Sequence, residues 1–148
     1  MAIETERKYL VKGGFEHLAV KKIRIRQFYF STDPGRTIRL RIAGEKGIIT
    51  FKSSARQESY SRNEWEFEIP LKDAEEMIKI SLPGIIDKTR YYIPAGGHTF
   101  EVDVFHGKNE GLVIAEIELS SESEEIERPE WLGEEVTGNP RYYNSNLI

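Results

Sequence analysis

The sequence contains no cysteine among its 148 residues. This absence excludes a disulfide framework and a thiolate metal site, so any metal ion must bind to oxygen or imidazole ligands. The three histidines, His17, His98 and His106, are scattered and have no serine or cysteine constellation around them. We therefore interpret them as surface or structural residues rather than as catalytic ones.

Long apolar runs are also missing. No stretch is long enough to cross a bilayer, and the N-terminus has no apolar segment of the kind that a signal peptide needs. We therefore expect a cytoplasmic protein without a membrane partner. The motifs GxxxxGK[ST] and GxGxxG do not occur either, which leaves P-loop and dinucleotide-binding folds without support.

Neither sign of charge is in large excess. The formal net charge of −4 argues against nucleic-acid binding over the whole surface, although it leaves a local basic pocket open. The hydrophobic fraction of 39% is low and the charged fraction of 31% is high. Because a chain of this length forms one ordinary domain, we expect a single domain over residues 1–148, with some charges lodged away from its outer surface.

Like charges at two-residue spacing are the most distinctive feature of the chain. Residues two apart on a strand share one face and lie about 7 Å apart, so each such pair brings like charges together. The stretch from Ile3 to Val11 begins the series, and there Lys8 shares the face of the first acidic pair. The six pairs are Glu4 and Glu6, Arg39 and Arg41, Glu64 and Glu66, Lys88 and Arg90, Glu101 and Asp103, and Glu116 and Glu118.

Two interpretations of these faces stay open on periodicity alone. In an ordinary sandwich the apolar face of each strand lines the core and the charged face is wet. Alternatively, the charges line a lumen and the apolar faces are covered from outside. Segregation of the two signs by strand favours the lumen, because neighbouring like charges destabilise a solvated sheet surface. Covering the outer faces would then need the predicted helix, the C-terminal segment and, as a hypothesis, a second copy of the chain.

About eight strands are predicted, mostly joined by short links, with few helices. The helical period over Lys72 to Ile80 predicts one helix, and we expect an acidic helix over Ser121 to Glu127 and a short closing helix over Pro140 to Ile148. A polar loop is expected over Ser53 to Ser61, and Trp131 is expected to anchor the C-terminal region. An antiparallel sheet of this size loses its exposed edges by closing. The predicted fold is therefore α+β, mainly antiparallel β, with an eight-stranded closed barrel and a few flanking helices.

The order of the charged strands resembles the CYTH family of triphosphate tunnel metalloenzymes over nearly the whole chain. The N-terminal Glu4-x-Glu6-x-Lys8 begins the resemblance. Features similar to the short bacterial members are Arg26-Gln27-Phe28-Tyr29, Lys88-Thr89-Arg90-Tyr91, Asp103-Val104-Phe105, Gly133-Glu134-Glu135-Val136-Thr137 and Arg141-Tyr142.

The resemblance implies a role for each charged position. The metal-binding acids would be Glu4, Glu6, Asp103, Glu116 and Glu118, and the triphosphate-binding bases would be Arg39, Arg41, Lys52, Lys88 and Arg90. Lys8 would pair with Tyr29, which could accept a proton from the attacking water. Glu64 and Glu66 are supporting residues that could bind metal or hold the arginines, and we prefer the second role.

The function implied is metal-dependent hydrolysis of a triphosphate phosphoanhydride, with Mg²⁺ or Mn²⁺ as the cofactor. Carboxylates beside bases in one cavity indicate such a bridging metal, because acids alone would repel phosphate. The substrate favoured is inorganic tripolyphosphate, a small molecule. The alternatives are an adenylyl cyclase, a thiamine or nucleoside triphosphatase, and a module that binds polyphosphate without turnover.

Overall fold

The computed structural model describes residues 2–53 and 61–148. Within these ranges the chain forms nine strands and one α-helix, α1 (Leu71–Met77), which continues into a 3₁₀ turn (Ile78–Ile80). The strands are β1 (Ala2–Val11), β2 (Lys21–Ser31), β3 (Arg36–Ala43), β4 (Lys46–Ser53), β5 (Ser61–Ile69), β6 (Ile86–Ala95), β7 (His98–Phe105), β8 (Val113–Glu118) and β9 (Leu132–Glu135). Further 3₁₀ turns are Glu16–Leu18, Gly107–Asn109, Pro140–Tyr142 and Asn144–Asn146.

Eight of these strands close into an antiparallel barrel, which confirms the predicted fold. Their order is β5-β4-β3-β2-β6-β7-β8-β1, and β1 then pairs with β5. Closure uses both halves of β1: Glu4 lies opposite Arg62 of β5, and Lys8 lies opposite Glu116 of β8. The short strand β9, which the sequence pattern did not predict, pairs with β1 at Val11 and Leu132.

The main apolar clusters on the barrel wall lie outside the lumen. Phe28, Leu40, Ile42 and Ala74 of α1 form one of them, so the predicted helix covers the outer face of β2 and β3. On the opposite side, Trp131 packs edge-on against Phe100 with ring centroids 5.2 Å apart, within a larger cluster. The expected anchoring role of Trp131 is therefore confirmed.

Two helix predictions are wrong. Ser121 to Glu127 forms a turn and irregular chain instead of a helix. The Glu124 carboxylate accepts bonds from both the backbone nitrogen and the hydroxyl of Ser120, at 2.7 Å each, and this local bonding competes with helix formation. The C-terminal segment from Pro140 onward forms two 3₁₀ turns rather than one helix.

This C-terminal segment fills one end of the barrel instead of covering an outer wall. Leu147, Ile148 and Tyr142 pack against a buried cluster of Tyr29, Ile86, Phe105 and Ile114. Those four side chains point to the inner faces of their strands, where the lumen charges lie, because residues two positions apart on a strand share one face. The segment is therefore the floor of the charged cavity.

Gly47 lets α1 approach β4. A Cβ added at Gly47 would lie 2.7 Å from the Cβ of Ala74 and 3.3 Å from the carbonyl oxygen of Ile69. We expect Gly47→Ala to lower the free energy of unfolding by about 1–3 kcal/mol, as overpacking does in cores. Urea unfolding measures this, with Gly14→Ala as the control because nothing lies within 4 Å of a Cβ there. Equal stability of the two variants would contradict the expectation.

The predicted loop over Ser53 to Ser61 falls mostly on residues outside the described ranges. On the outer face of β5, Trp65 and Phe67 are 37% and 57% exposed, so the prediction that a second copy covers this face stays a prediction. The cytoplasmic location also stays a prediction. Across residues 2–53 and 61–148, no helix has the length and apolar character to cross a membrane.

Candidate active site in the barrel lumen

The barrel encloses a cavity of about 330 Å³ that is lined by charged side chains. Alternation along each strand sends one face inward, and in seven of the eight barrel strands at least one predicted site residue reaches the cavity. The predicted residues that line it are Glu4, Glu6, Lys8, Tyr29, Arg39, Arg41, Lys52, Glu64, Glu66, Lys88, Arg90, Glu116 and Glu118. Residues far apart in sequence therefore meet in one space, as the lumen interpretation predicts.

Asp103 is the one predicted residue that does not line the cavity. It lies on the same inward face but is fully buried beneath two bases. The Arg90 guanidinium donates to both Asp103 oxygens, at 2.7 and 2.9 Å, and the Lys88 ammonium lies 2.8 Å away. Burial opposes ionisation of Asp103, yet Lys88 and Arg90 hold its pKa below the usual value. Its described contacts make it the counter-ion of these bases.

The acids on β1 and β8 form a crowded group. Burial, with the charges of Glu116 and Glu4, raises the pKa of Glu6 to about 8. Glu6 touches the cavity but lies deep in the barrel, which explains why desolvation dominates. Burial also opposes ionisation of Glu116, but the nearby Lys8 and Arg90 hold its pKa well below its usual range. At neutral pH, therefore, Glu6 holds a proton beside an ionised Glu116.

Several lumen bases are paired with these acids. Lys52 donates to both oxygens of Glu4 at 2.9 Å and lies 3.5 Å from Glu64. Lys8 lies 3.6 Å from Glu116. Glu66 lies 3.9 Å from Arg39. The supporting acids thus sit beside bases, as we preferred from the sequence, although the partner of Glu64 is a lysine.

The two lumen arginines of β3 are poorly compensated bases. The Arg39 Nε is buried and has no hydrogen-bond partner among the described residues. Arg41 donates to Gln27 Oε1 at 3.2 Å, and no carboxylate of the described chain lies within 4.0 Å of it. Burial and the charges of Arg39 and Arg90 lower the pKa of Arg41 to about 10. An anion bound here would satisfy both side chains.

Tyr29 points into the lumen beside the first-strand motif. Its hydroxyl accepts a weak bond from Gln27 Nε2 at 3.4 Å, and the residue is 2% exposed. Burial opposes the charge of Lys8, but Glu116, Glu6 and Tyr29 together raise the Lys8 pKa. The pairing of Tyr29 with Lys8 that the resemblance implied stays a prediction.

Some lining residues were missed from the sequence. Arg62 precedes Glu64 by two positions on the same face of β5, and Glu101 belongs to a charged pair that was noted, so alternation could have found both. Glu101 forms an ion pair with Arg90. Tyr143 and its neighbours in the C-terminal segment also line the cavity, and no periodic signal could have found them because they lie outside the strands.

The fold and the lining define the class: an antiparallel barrel that carries a charged site of both signs inside its tunnel. Comparison with known proteins agrees with this description. The family model for the CYTH domain matches residues 2–146. The chain therefore belongs to the CYTH family, which confirms the resemblance.

Two relatives named inorganic triphosphatase cover almost the whole chain. A protein from Acetivibrio thermocellus named inorganic triphosphatase is 42% identical, over 100% of this chain and 94% of its own length. One from Nitrosomonas europaea with the same name is 35% identical, over 97% of this chain and 95% of its own. A crystal structure described as that of an inorganic triphosphatase superposes with a TM-score of 0.69 at 33% identity, covering 97% and 95% of the two chains.

Proposed function

We propose that this chain hydrolyses a phosphoanhydride bond of inorganic triphosphate inside the barrel. The observation that carries the proposal is the pair of poorly compensated arginines on β3, Arg39 and Arg41, facing an enclosed cavity. A guanidinium binds two phosphate oxygens at once, so this pair suits a compact polyanion. The names of the two relatives at 42% and 35% identity support the same substrate.

The acidic side of the cavity fits a divalent cation. Protonation of Glu6 relieves its electrostatic repulsion with Glu116 and Glu4. A cation bound between these carboxylates would relieve the same repulsion while all of them stay ionised. Oxygen donors suit Mg²⁺ or Mn²⁺. Among the described residues no three acidic or histidine side chains already form a metal-binding group, and the Glu4 carboxylate is bonded to Lys52. We propose that Glu4, Glu6, Glu116 and Glu118 hold the ion, which when bound neutralises phosphate charge and acidifies water.

The remaining residues act on the substrate and on protons. Arg39, Arg41 and Lys52 would hold the phosphate chain and stabilise the negative charge that grows on its oxygens as the bond breaks. Lys88 and Arg90 would add positive charge from β6. Tyr29 would accept the proton of the attacking water, because it lines the cavity from β2.

A substrate panel tests the proposal. Phosphate release should occur from triphosphate with Mg²⁺ or Mn²⁺ and stop in EDTA. Lys52→Ala should reduce the rate of phosphate release at least about a hundredfold, because it removes the positive charge that stabilises negative charge growing on the phosphate oxygens. Lys46→Ala, at an exposed position of β4, is the matched control and should keep the parent rate.

Each alternative has its own outcome in the same panel. A rise in melting temperature with triphosphate but no phosphate release would favour a polyphosphate-binding module. Formation of a cyclic nucleotide from ATP would favour an adenylyl cyclase. Faster turnover of thiamine triphosphate or nucleoside triphosphates than of inorganic triphosphate would shift the substrate within the class.

A further inference from the structure

Arg62 is a base in the lumen that has no acidic partner among the described residues. It lines the cavity from β5, and among the described residues no carboxylate oxygen lies within 4.0 Å of its guanidinium. The acid directly across from it on β1 is Glu4. That carboxylate is turned to Lys52, which bonds both of its oxygens. A cation without a counter-ion inside a cavity is costly unless a ligand supplies the negative charge.

An aromatic ring of the C-terminal segment holds Arg62 in place. The Arg62 Cζ lies 5.6 Å from the centroid of the Tyr143 ring, and the Lys8 Nζ lies 5.7 Å from the same centroid. Lys8 also donates to the Tyr142 carbonyl at 3.3 Å, and Lys88 donates to Asn144 Oδ1 at 3.0 Å. The segment is therefore fastened to bases of three different strands, with Tyr143 between two of them.

We propose that Arg62 is a further substrate-binding residue, with Tyr143 as the residue that positions it. When a guanidinium lies over an aromatic ring, its planar face contacts the ring. Its N–H groups then point outward along the edge of the guanidinium plane. Those N–H groups can therefore bind phosphate oxygens while the ring contact is kept. The inference rests on the proposed function, because it assumes that the polyanion in this cavity is triphosphate.

The competing role for Arg62 is purely structural. In that case its contact with Tyr143 only fastens the C-terminal segment, and replacing it would lower stability without changing how the protein binds triphosphate. Two readouts separate the roles: the Michaelis constant for triphosphate with Mg²⁺, and the rise in melting temperature that sodium triphosphate causes in EDTA, where no turnover is needed.

Five variants make the test. Arg62→Gln should raise KM at least about tenfold and reduce the triphosphate-induced rise in melting temperature, as loss of a charged hydrogen bond does. Arg62→Lys should restore part of the loss, because it keeps the charge without the fork. Tyr143→Phe should resemble the parent, whereas Tyr143→Leu, which lacks the π face, should raise KM severalfold. Arg36→Gln is the control, since this arginine is exposed.

The outcomes decide between the two roles. If Arg62→Gln lowers only the ligand-free melting temperature and leaves KM and the triphosphate response unchanged, the inference is overturned while the proposed function stands. If the parent shows neither turnover nor a triphosphate response, both fall. Should the glutamine variant fail to fold, Arg62→Lys decides alone, and an unchanged KM would overturn the inference.

Discussion

Replacing Glu6 with glutamine is expected to reduce triphosphate hydrolysis at least about a hundredfold while the protein stays folded. The barrel disfavours the charged form of Glu6, since burial, Glu116 and Glu4 raise its pKa to about 8. Glutamine keeps the size of the side chain but cannot provide a carboxylate for a cation. The variant should therefore also lose most of the stabilisation that Mg²⁺ or Mn²⁺ gives the parent, measured as a shift in melting temperature.

The same substitution should change how stability depends on pH when metal is absent. Between the ordinary value of 4.5 and about 8, native Glu6 holds a proton that the unfolded chain has lost. The contribution of Glu6 to the free energy of unfolding therefore falls as pH rises through this window. Glu6→Gln should remove this part of the slope in EDTA between pH 5 and 9. Glu45→Gln, in the exposed β3–β4 turn, is the control. Parent-like activity or an unchanged slope would contradict the assignment.

Asp103→Asn is expected to destabilise the metal-free protein by about 3–5 kcal/mol, the usual effect of removing one partner from a buried charge cluster. Asp103 is fully buried and shares its oxygens between Arg90 and Lys88, so the variant leaves two buried bases without their main counter-ion. Denaturant unfolding in EDTA measures the loss. Glu101→Gln is the matched control, because Arg90 is its ion-pair partner among the described residues and its side chain is 34% exposed.

This measurement also separates two roles for Asp103. The family resemblance implies a metal ligand, whereas the described contacts make Asp103 a counter-ion. An Asp103→Asn protein with unchanged stability in EDTA and weakened metal affinity would support the ligand role. Adding Lys88→Met to Asp103→Asn should recover part of the lost stability, because one of the two buried bases left without a counter-ion is then removed.

Alternation of residue types made most of the barrel predictable. Like charges two positions apart fix which strand face each residue occupies, and the short links between strands favour antiparallel neighbours. The shared strand face of Arg39 and Arg41 follows from this pattern, since Ile38, Leu40 and Ile42 alternate with them on the other face. The choice between a wet face and a lumen needed the closure of β1 on β5, which is a non-local contact.

What the sequence could not provide depends on pairing between distant segments. β9 is only four residues long, and it is a strand because Leu132 pairs with Val11 and the missing side chain of Gly133 allows close approach to the Leu10 carbonyl. The acidic run after Ser120 suggested a helix, but it has no apolar stripe to bury, and the side chain of Glu124 bonds the backbone locally. Likewise, no local pattern places Tyr143 against Arg62.

The first strand pairs with strands that are distant from it in sequence. In the described sheet β1 pairs with β5, β8 and β9 and does not pair with β2, the strand that follows it. During synthesis, the edge of β1 that faces β8 therefore has no partner until residues near Glu116 have been made. Such late-closing topologies fold slowly. A stalled nascent chain that ends before β8 would expose this edge of β1 to other chains. We therefore expect less aggregation when the protein is expressed at a lower temperature than at a higher one.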